Sequence, residues 1–473
     1  MKITFLGANH EVTGSSTLLE FDDTKVIIDI GILQSNQGAK EFQRAYEFNK
    51  KKLPYDPKEI DAVAITHAHI DHVGRLPLLL RENPHVKVIA TEPTARLSTL
   101  NIKDGAYIMN KECDRMNRRL RKNLYTPAYT EEEVKEIGNY FQCYDYHQPI
   151  VVKETEKETV TIELIPCGHM IGASSIKVTH ATEFFTKTFF FTGDTSGQGN
   201  RIPFTKPCPK LDHVDYLISE STYGDRTHEK IDFKKELCKA IKHAVYQSGV
   251  ILMPVFAIHK SSTVLQMLKE VFDENPEIAH LPVYLDSPMA ISSHNIIAKA
   301  RKFWHKTWLK RSDKNNIWDW SNLEYLHDFK KTAGLNYSKP MVIVSCSGML
   351  SGGRALFSLE KILPKKKHAV IFTGFAPEGT LARTLLEKQQ SSISINGKQT
   401  RIRSKIHHIP FSGHADYNEL TEWYKTCPSK KFKHVFLIHG AKKSAEYFKK
   451  HLQRHLNNTP IHIPEYEESI KLY

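Results

Sequence analysis

Hydrophobic positions in the first 200 residues come mostly in short runs broken by turn residues. "MKITFLG" (1–7), "STLLEF" (16–21) and "KVIIDIG" (25–31) are rich in β-formers and separated by glycine or by Asp22-Asp23, which predicts a meander of strands. "DAVAIT" and "VKVIAT" read as two more strands with a helical segment between them, and residues 95–140 as charged helix. "TVTIELIPC", "SSIKVTH" and "KTFFFTGD" then resume the strand pattern. This portion reads as sheets with peripheral helices.

From about residue 215 the pattern changes to an apolar strand, a small-residue loop and an amphipathic helix. Four stretches repeat it: "GVILMPVFAIHKSSTVLQMLKEVF", "LPVYLDSPMAISSHNIIAKA", "PMVIVSCSGMLSGGRALFSLEKIL" and "HAVIFTGFAPEGTLARTLLEK". Such units predict a mainly parallel, helix-covered sheet with ligand loops at the strand carboxyl ends. Residues 301–335 read as a helical and loop excursion, "SISINGKQTRIRSKIHHI" as a hairpin, and "IPFSGHADYNELTEWYK" and "HVFLIHGAKKSAEYFKKHLQRH" as two closing strand-then-helix units. At 473 residues the chain exceeds one compact core and predicts two or three domains.

Composition narrows the class. Seven scattered cysteines without a C-x-x-C pair exclude a disulfide framework and a thiolate zinc site, so a metal here must use histidine and carboxylate. The opening "MKITFLGANHEVTG" lacks the apolar core of a secretory signal, and no apolar run approaches the roughly 20 residues that span a bilayer, so a cytoplasmic protein without membrane partners is expected. The net charge of +13 is concentrated: residues 361–473 carry 20 Lys and Arg against 9 Asp and Glu, a surplus of 11. A field of that sign attracts polyanions, although lysine-rich helices can also be plain solvated faces.

The densest chemistry lies in "ITHAHIDH" (65–72). His67 and His69 follow a predicted buried strand, and Asp71 and His72 open a helix, so four ligand-type side chains share one strand-end loop. One loop cannot surround two ions. His169 in "PCGHMIGAS", Asp194 in "FFFTGDTS" and His439 in "VFLIHGA" each follow a predicted strand and complete a set of seven, with Asp194 able to bridge through its two oxygens.

Those motifs, with Asp29 in "VIIDIG", resemble the metallo-β-lactamase fold hydrolases. The stretch between Asp194 and His414, with "ISESTYGDR" at its start and "FSGHAD" at its end, is similar to the β-CASP nucleases, in which a cap domain interrupts that fold; "LDSPMA", "CSGMLSGGR" and "GFAPEGTLAR" are similar to cap motifs. The resemblance implies an α/β protein: an αββα metallo-β-lactamase sandwich over 1–210 and 396–473, and an inserted α/β cap with a parallel sheet over 211–395. It implies two Zn²⁺ ions, with Mn²⁺ as an alternative, one held by His67, His69 and His169, the other by Asp71, His72 and His439, and bridged by Asp194. Asp29 would brace the histidine loop. Asp71 also counts among the catalytic residues with His414, the general acid, and Glu220, its polarising carboxylate.

The implied activity is hydrolysis of RNA phosphodiester bonds, on single-stranded RNA, by endo- or exonucleolytic cutting, with metal-activated hydroxide as nucleophile; a homodimer is compatible. Ser347, Gly348 and Arg354 in the "SCSGMLSGGR" loop offer a phosphate site. Lys260 stands near where the family carries arginine, so it brings a point charge without a planar fork. A small-molecule hydrolase of the same fold is the alternative reading, disfavoured by the long insert and the basic C-terminal region. A scaffold with a decayed site predicts missing ligands, and none of the seven is missing.

Overall fold

The computed structural model describes residues 1–473 apart from 35–38, 200, 230, 315–319, 429–431 and 457. One compact unit comprises Met1–Ser35, Ala39–His228 and Gly413–Tyr473, and Glu229–Ser412 belong to a second. The changeovers fall later than the boundaries at 210 and 395 read from sequence. Backbone pairing explains both shifts: Tyr216–Glu220 lies between Thr186–Phe191 and His434–Ile438, inside the first unit, while Lys405–His408 pairs with Ala369–Phe372 inside the second.

The first unit stacks two seven-stranded sheets. In one, Lys2–Gly7, Ser16–Glu20 and Lys25–Ile30 form the predicted antiparallel meander, and Ala62–Ala64, Lys87–Ala90 and Phe141–Cys143 continue it in parallel. The other runs antiparallel from Ile150–Glu154 to Thr186–Phe191, then parallel through Tyr216–Glu220 and His434–Ile438. Strand alternation explains the layering. Val26 and Ile28 meet Ile162, Ile176 and Phe189 of the facing sheet, whereas Ile27 and, beyond the irregularity at Asp29 (φ 57°), Ile30 turn to Leu76, Leu79 and Ile102 of the outer helices. On the other sheet, Tyr417–Tyr424 and Lys442–Gln453 bury Leu420, Trp423, Phe448 and Leu452. The order is helix, sheet, sheet, helix.

The second unit holds a six-stranded, all-parallel sheet in the order Leu323–Tyr325, Val283–Asp286, Met341–Ser345, Val250–Pro254, Ala369–Phe372, Lys405–His408. Helices Phe233–Val245, Lys260–Asp273, Pro288–Lys299 and Gly353–Ile362 cover it. The expected hairpin is present over Ser392–Ile395 and Lys398–Arg401, closed by Asn396 (φ 50°) and Gly397 (φ 82°).

Three local expectations differ from the structure. The long helix stops at Leu120 rather than near 140, because Arg121 takes a left-handed conformation and Asn117 ties down the backbone of Leu124 and Tyr125. After Arg401, "IRSKIHHI" leaves the hairpin and supplies the sheet's sixth strand. "IPFSG" is no regular strand: Ile409 and Phe411, two residues apart, donate to Phe372 and Thr373, which are adjacent, so the parallel register is lost after His408. Part of the expected 301–335 excursion, residues 315–319, lies outside the described residues.

One glycine ties the first sheet to the loop that follows "DAVAIT". A Cβ on Gly31 would sit 1.6 Å from the carbonyl oxygen of Asp71, whose oxygen also accepts the Ser15 N–H at 2.9 Å. Gly31→Ala should therefore push the 69–72 backbone away and destabilise the first unit by about 3 kcal/mol or more. Calorimetric melting together with the metal retained per chain checks this, and an unchanged melting temperature with full metal content would refute it.

Candidate metal centre

Strand Ala62–Ala64 ends in a buried loop that delivers His67 and His69, and the short helix Ile70–Val73 carries Asp71 and His72. His169 follows Thr159–Pro166, Asp194 follows Thr186–Phe191, and His439 follows His434–Ile438. All seven lie in the first unit. They fall into two groups, His67, His69, His169 with Asp194, and Asp71, His72 with His439, the potential ligand atoms within each lying within 4.8 Å of one another.

Within the groups nitrogen faces nitrogen. His67 Nε2 and His69 Nδ1 are 3.0 Å apart, His69 Nδ1 and His169 Nε2 3.3 Å, and His72 Nε2 and His439 Nε2 3.1 Å. Bonds of 2.0–2.1 Å to a tetrahedral ion put ligand nitrogens about 3.3 Å apart, so the spacing fits a metal. Asp194 faces both groups: Oδ2 lies 3.4 Å from His67 Nε2, and Oδ1 lies 3.5 Å from His72 Nε2 and 3.3 Å from His439 Nδ1. Its Oδ1 is buried without a hydrogen-bond partner among the described residues, an orphan acceptor that a cation would satisfy. The donor set of imidazoles and carboxylates thus fits two cations sharing one carboxylate.

A second layer fixes the rings. Asp29 accepts the Thr66 N–H and hydroxyl, each at 2.8 Å, and the His72 Nδ1–H at 2.7 Å. Thr66, having given its proton to Asp29, accepts from His67 Nδ1 at 3.0 Å. His169 Nδ1 donates to the Gly413 carbonyl, and the Thr222 hydroxyl lies 3.1 Å from His439 Nδ1. These contacts leave Nε2 of His67, His72, His169 and His439 for the centre. Asp29 (φ 57°) and His439 (φ 48°) adopt left-handed backbone, which their residue types tolerate better than most and which tends to concentrate at working sites.

Burial and charge set the protonation states. Desolvation holds His67 and His169 well below the usual imidazole range and brings His69 to about 4, so these rings present free lone pairs. His72 is equally desolvated, but Asp194 and Asp29 outweigh burial and raise it to about 10, so cation binding there releases a proton. Asp194 is held far below the ordinary carboxylate range, against its burial, by the imidazoles of His439 and His72.

Beside this centre His414 Nδ1 donates to Glu220 Oε2 at 2.8 Å, and its Nε2 lies 3.8 Å from Asp194 Oδ2. The other Glu220 oxygen accepts the Thr195 N–H at 2.7 Å. Desolvation lowers the His414 pKa, but Glu220 and Asp194 prevail and raise it to about 9.

The four residues expected to bind phosphate do not form one group. Arg354 is committed within the second unit: Nη1 bonds Asp286 at 3.0 Å and the Leu326 carbonyl, and Nη2 the His327 carbonyl, because Asp286 is a fully buried carboxylate that needs a partner. The Ser347 hydroxyl accepts the Ser351 N–H. Lys260 and Gly348 line one pocket with Phe256, Thr373, Gly374 and Phe375. There Lys260 Nζ donates to the Phe411 carbonyl at 2.6 Å and lies 3.3 Å from that ring's centroid, and burial lowers its pKa to about 7.

Comparison with known proteins bears on this geometry. Residues 11–232 match the model for the metallo-beta-lactamase superfamily, 262–385 the Beta-Casp domain, and 399–464 the Zn-dependent metallo-hydrolase RNA specificity domain. An RNase J-like protein of Methanocaldococcus jannaschii is 30% identical over 390 residues, covering 81% of this chain and 82% of its own. The chain belongs to the β-CASP family of metallo-β-lactamase-fold nucleases. Other β-CASP relatives include a ribonuclease of Thermus thermophilus, 29% identical with 93% of each chain covered, and the cleavage and polyadenylation specificity factor 73 of Drosophila melanogaster, 27% identical, of which the chain spans 62%. A solved structure from Enterococcus faecalis, a protein of unknown function, shares the fold at TM-score 0.53 and 14% identity, covering 100% of this chain and 99% of its own. Among the described residues no helix is long and apolar enough to cross a membrane.

Thr66 and Thr222 escaped the sequence reading, since a threonine carries no ligand signal; their positions directly before "HAHIDH" and within "ESTYG" were the only hints. If the Asp29–Thr66 pair orients His67 and His72, Asp29→Ala and Thr66→Val should each weaken metal binding about 10- to 100-fold. Competition against a chelator measures this, and wild-type affinity in both variants would rule the arrangement out.

Proposed function

We propose that this β-CASP protein is a zinc-dependent ribonuclease that hydrolyses RNA phosphodiester bonds, with His414 as general acid. The observation that carries the reading is the part-buried Glu220–His414 pair set against a double group of metal-ligand side chains. RNA as substrate is supported by the RNA specificity model matched over 399–464, by the ribonuclease relatives and by the positive surplus after residue 361.

In this reading His67, His69 and His169 hold one cation, Asp71, His72 and His439 the other, and Asp194 both. Zinc suits a donor set rich in imidazole, and Mn²⁺ is the alternative. Bound cations would lower the pKa of water and neutralise charge building on the phosphate during in-line attack. The chain's own contribution is the proton. Glu220 takes Nδ1–H and so leaves His414 Nε2 to carry the proton that the leaving ribose oxygen accepts as its bond to phosphorus breaks. The Glu220 carboxylate also raises the His414 pKa, which favours the protonated acid at neutral pH. Lys260 and Gly348 supply an anchoring point for an RNA phosphate in the second unit, while Arg354 is committed to Asp286.

His414→Ala should leave metal content intact and lower cleavage of labelled single-stranded RNA by about 10²- to 10⁴-fold; full-rate cleavage would remove the acid role. Anchoring by Lys260 needs its ammonium form, which burial makes it lose above about pH 7. KM for RNA should accordingly rise by up to about tenfold per pH unit above 7, and Lys260→Arg should flatten that rise. An identical KM profile in the two proteins would sink the anchoring role.

A further inference from the structure

His228, Asp416 and Glu419 form a cluster beside His414 that could in principle hold a metal ion. Their hydrogen bonds point elsewhere. Glu419 and Asp416 close a reciprocal capping box at the start of helix Tyr417–Tyr424, and Glu419 also carries the Arg201 guanidinium at 2.7 Å, a cation already in place. His228 Nε2 lies 2.8 Å from the carbonyl oxygen of His414, so that nitrogen bears a proton and has no lone pair to offer a metal.

The same contact defines another task. The His414 carbonyl accepts from His228 Nε2–H and, at 3.3 Å, from Arg201 Nη2. His228 is itself fixed: its backbone N–H donates to Asp416 Oδ2 at 2.9 Å, and its ring stands edge-on to Tyr223, 5.1 Å between centroids. Tyr223 pairs with Asp416 in an isolated β-bridge, and its ring lies 6.0 Å from that of His414. On the far side the N–H of Ala415 donates to the Thr195 carbonyl at 2.6 Å, and Thr195 in turn donates its N–H to Glu220. Residue 414 is thus gripped at its carbonyl, at the following N–H and at its ring.

We propose that His228, assisted by Arg201, is a positioning residue that clamps the His414 carbonyl and so sets the imidazole of His414 between Glu220 and the metal centre. The inference rests on the reading of His414 as general acid. His414 lies just beyond the changeover between the units, on a segment with no regular secondary structure, so nothing in a helix or ladder fixes its backbone. Two side-chain donors on one carbonyl replace that support. Desolvation, with Arg201 adding to it, keeps the His228 pKa below the usual imidazole range; the neutral ring still donates through Nε2, so the clamp does not open as pH changes around neutrality.

The test measures steady-state cleavage of single-stranded RNA by the full chain carrying its metal. His228→Ala should lower kcat by about 10- to 100-fold, the scale of a misplaced catalytic group, with KM within about twofold and metal content unchanged. His228→Gln, whose amide N–H reaches the place of Nε2–H, should recover most of the loss. His228→Ala combined with His414→Ala should be no slower than His414→Ala alone, because both act through one proton transfer. A p-nitrophenyl phosphodiester, whose leaving group needs no proton, should be cleaved by His228→Ala at nearly the wild-type rate. Unchanged kcat in His228→Ala, additive losses in the double variant, an equal loss on the nitrophenyl ester, or a third metal ion that this substitution removes would each overturn the clamp. If His228→Ala fails to fold, Arg201→Ala takes its place in the same comparisons. Full activity of His414→Ala would refute the acid itself, whereas a slow His414→Ala beside a normal His228→Ala refutes only the clamp.

Discussion

Two imidazole groups lie close together around Asp194, and the first unit is arranged so that its two oxygens face opposite ways. A single buried carboxylate placed between His67 and His169 on one side and His72 and His439 on the other is costly to desolvate. The imidazoles on its Oδ1 side, His439 and His72, offset that cost, which is why its pKa is driven down rather than up. The ligand groups come from the ends of strands in both sheets, so the site depends on the sheets stacking in register. Val26, Ile28, Ile176 and Phe189 at the inter-sheet core therefore do more than stabilise: they set the distance across which the two halves of the centre meet.

A second shell converts that placement into a chemical state. Asp29 collects three donors behind the loop and, directly or through Thr66, orients His72 and His67, while a backbone carbonyl holds His169 and Thr222 lies against His439. A ring whose Nδ1 is occupied can present only Nε2 inwards, so these contacts select tautomers before any ion arrives. His414 is treated the same way, with a carboxylate on Nδ1, but its main chain is also held from outside by His228 and Arg201. The cluster that could be taken for another metal site is better explained by that work.

The second unit shows how packing engages a charge that the sequence leaves open. Arg354 in a glycine-rich strand-to-helix loop has the composition of a phosphate contact, yet a fully buried Asp286 on a neighbouring strand requires a counter-charge and takes it. Nothing near Arg354 in sequence advertises Asp286. Lys260 is the opposite case: its Nζ meets the Phe411 carbonyl and ring, and burial leaves its ammonium poised near neutral pH.

Local sequence determined the element types wherever hydrophobic periodicity was strong. The meander over Lys2–Ile30 and the parallel strands at Val250–Pro254, Val283–Asp286, Met341–Ser345 and Ala369–Phe372 follow from apolar runs punctuated by turn residues. It also determined which side chains could serve as ligands, since histidine and aspartate immediately after a buried strand have few other reasons to cluster. What it could not set was anything fixed by pairing at long range. The end of the insert, the sixth parallel strand at Lys405–His408, the closeness of Gly31 to Asp71 and the commitment of Arg354 to Asp286 all join residues 36 or more positions apart. Tertiary structure decided these because a buried donor, acceptor or charge must find its partner wherever packing has put one, and a local pattern holds no record of that.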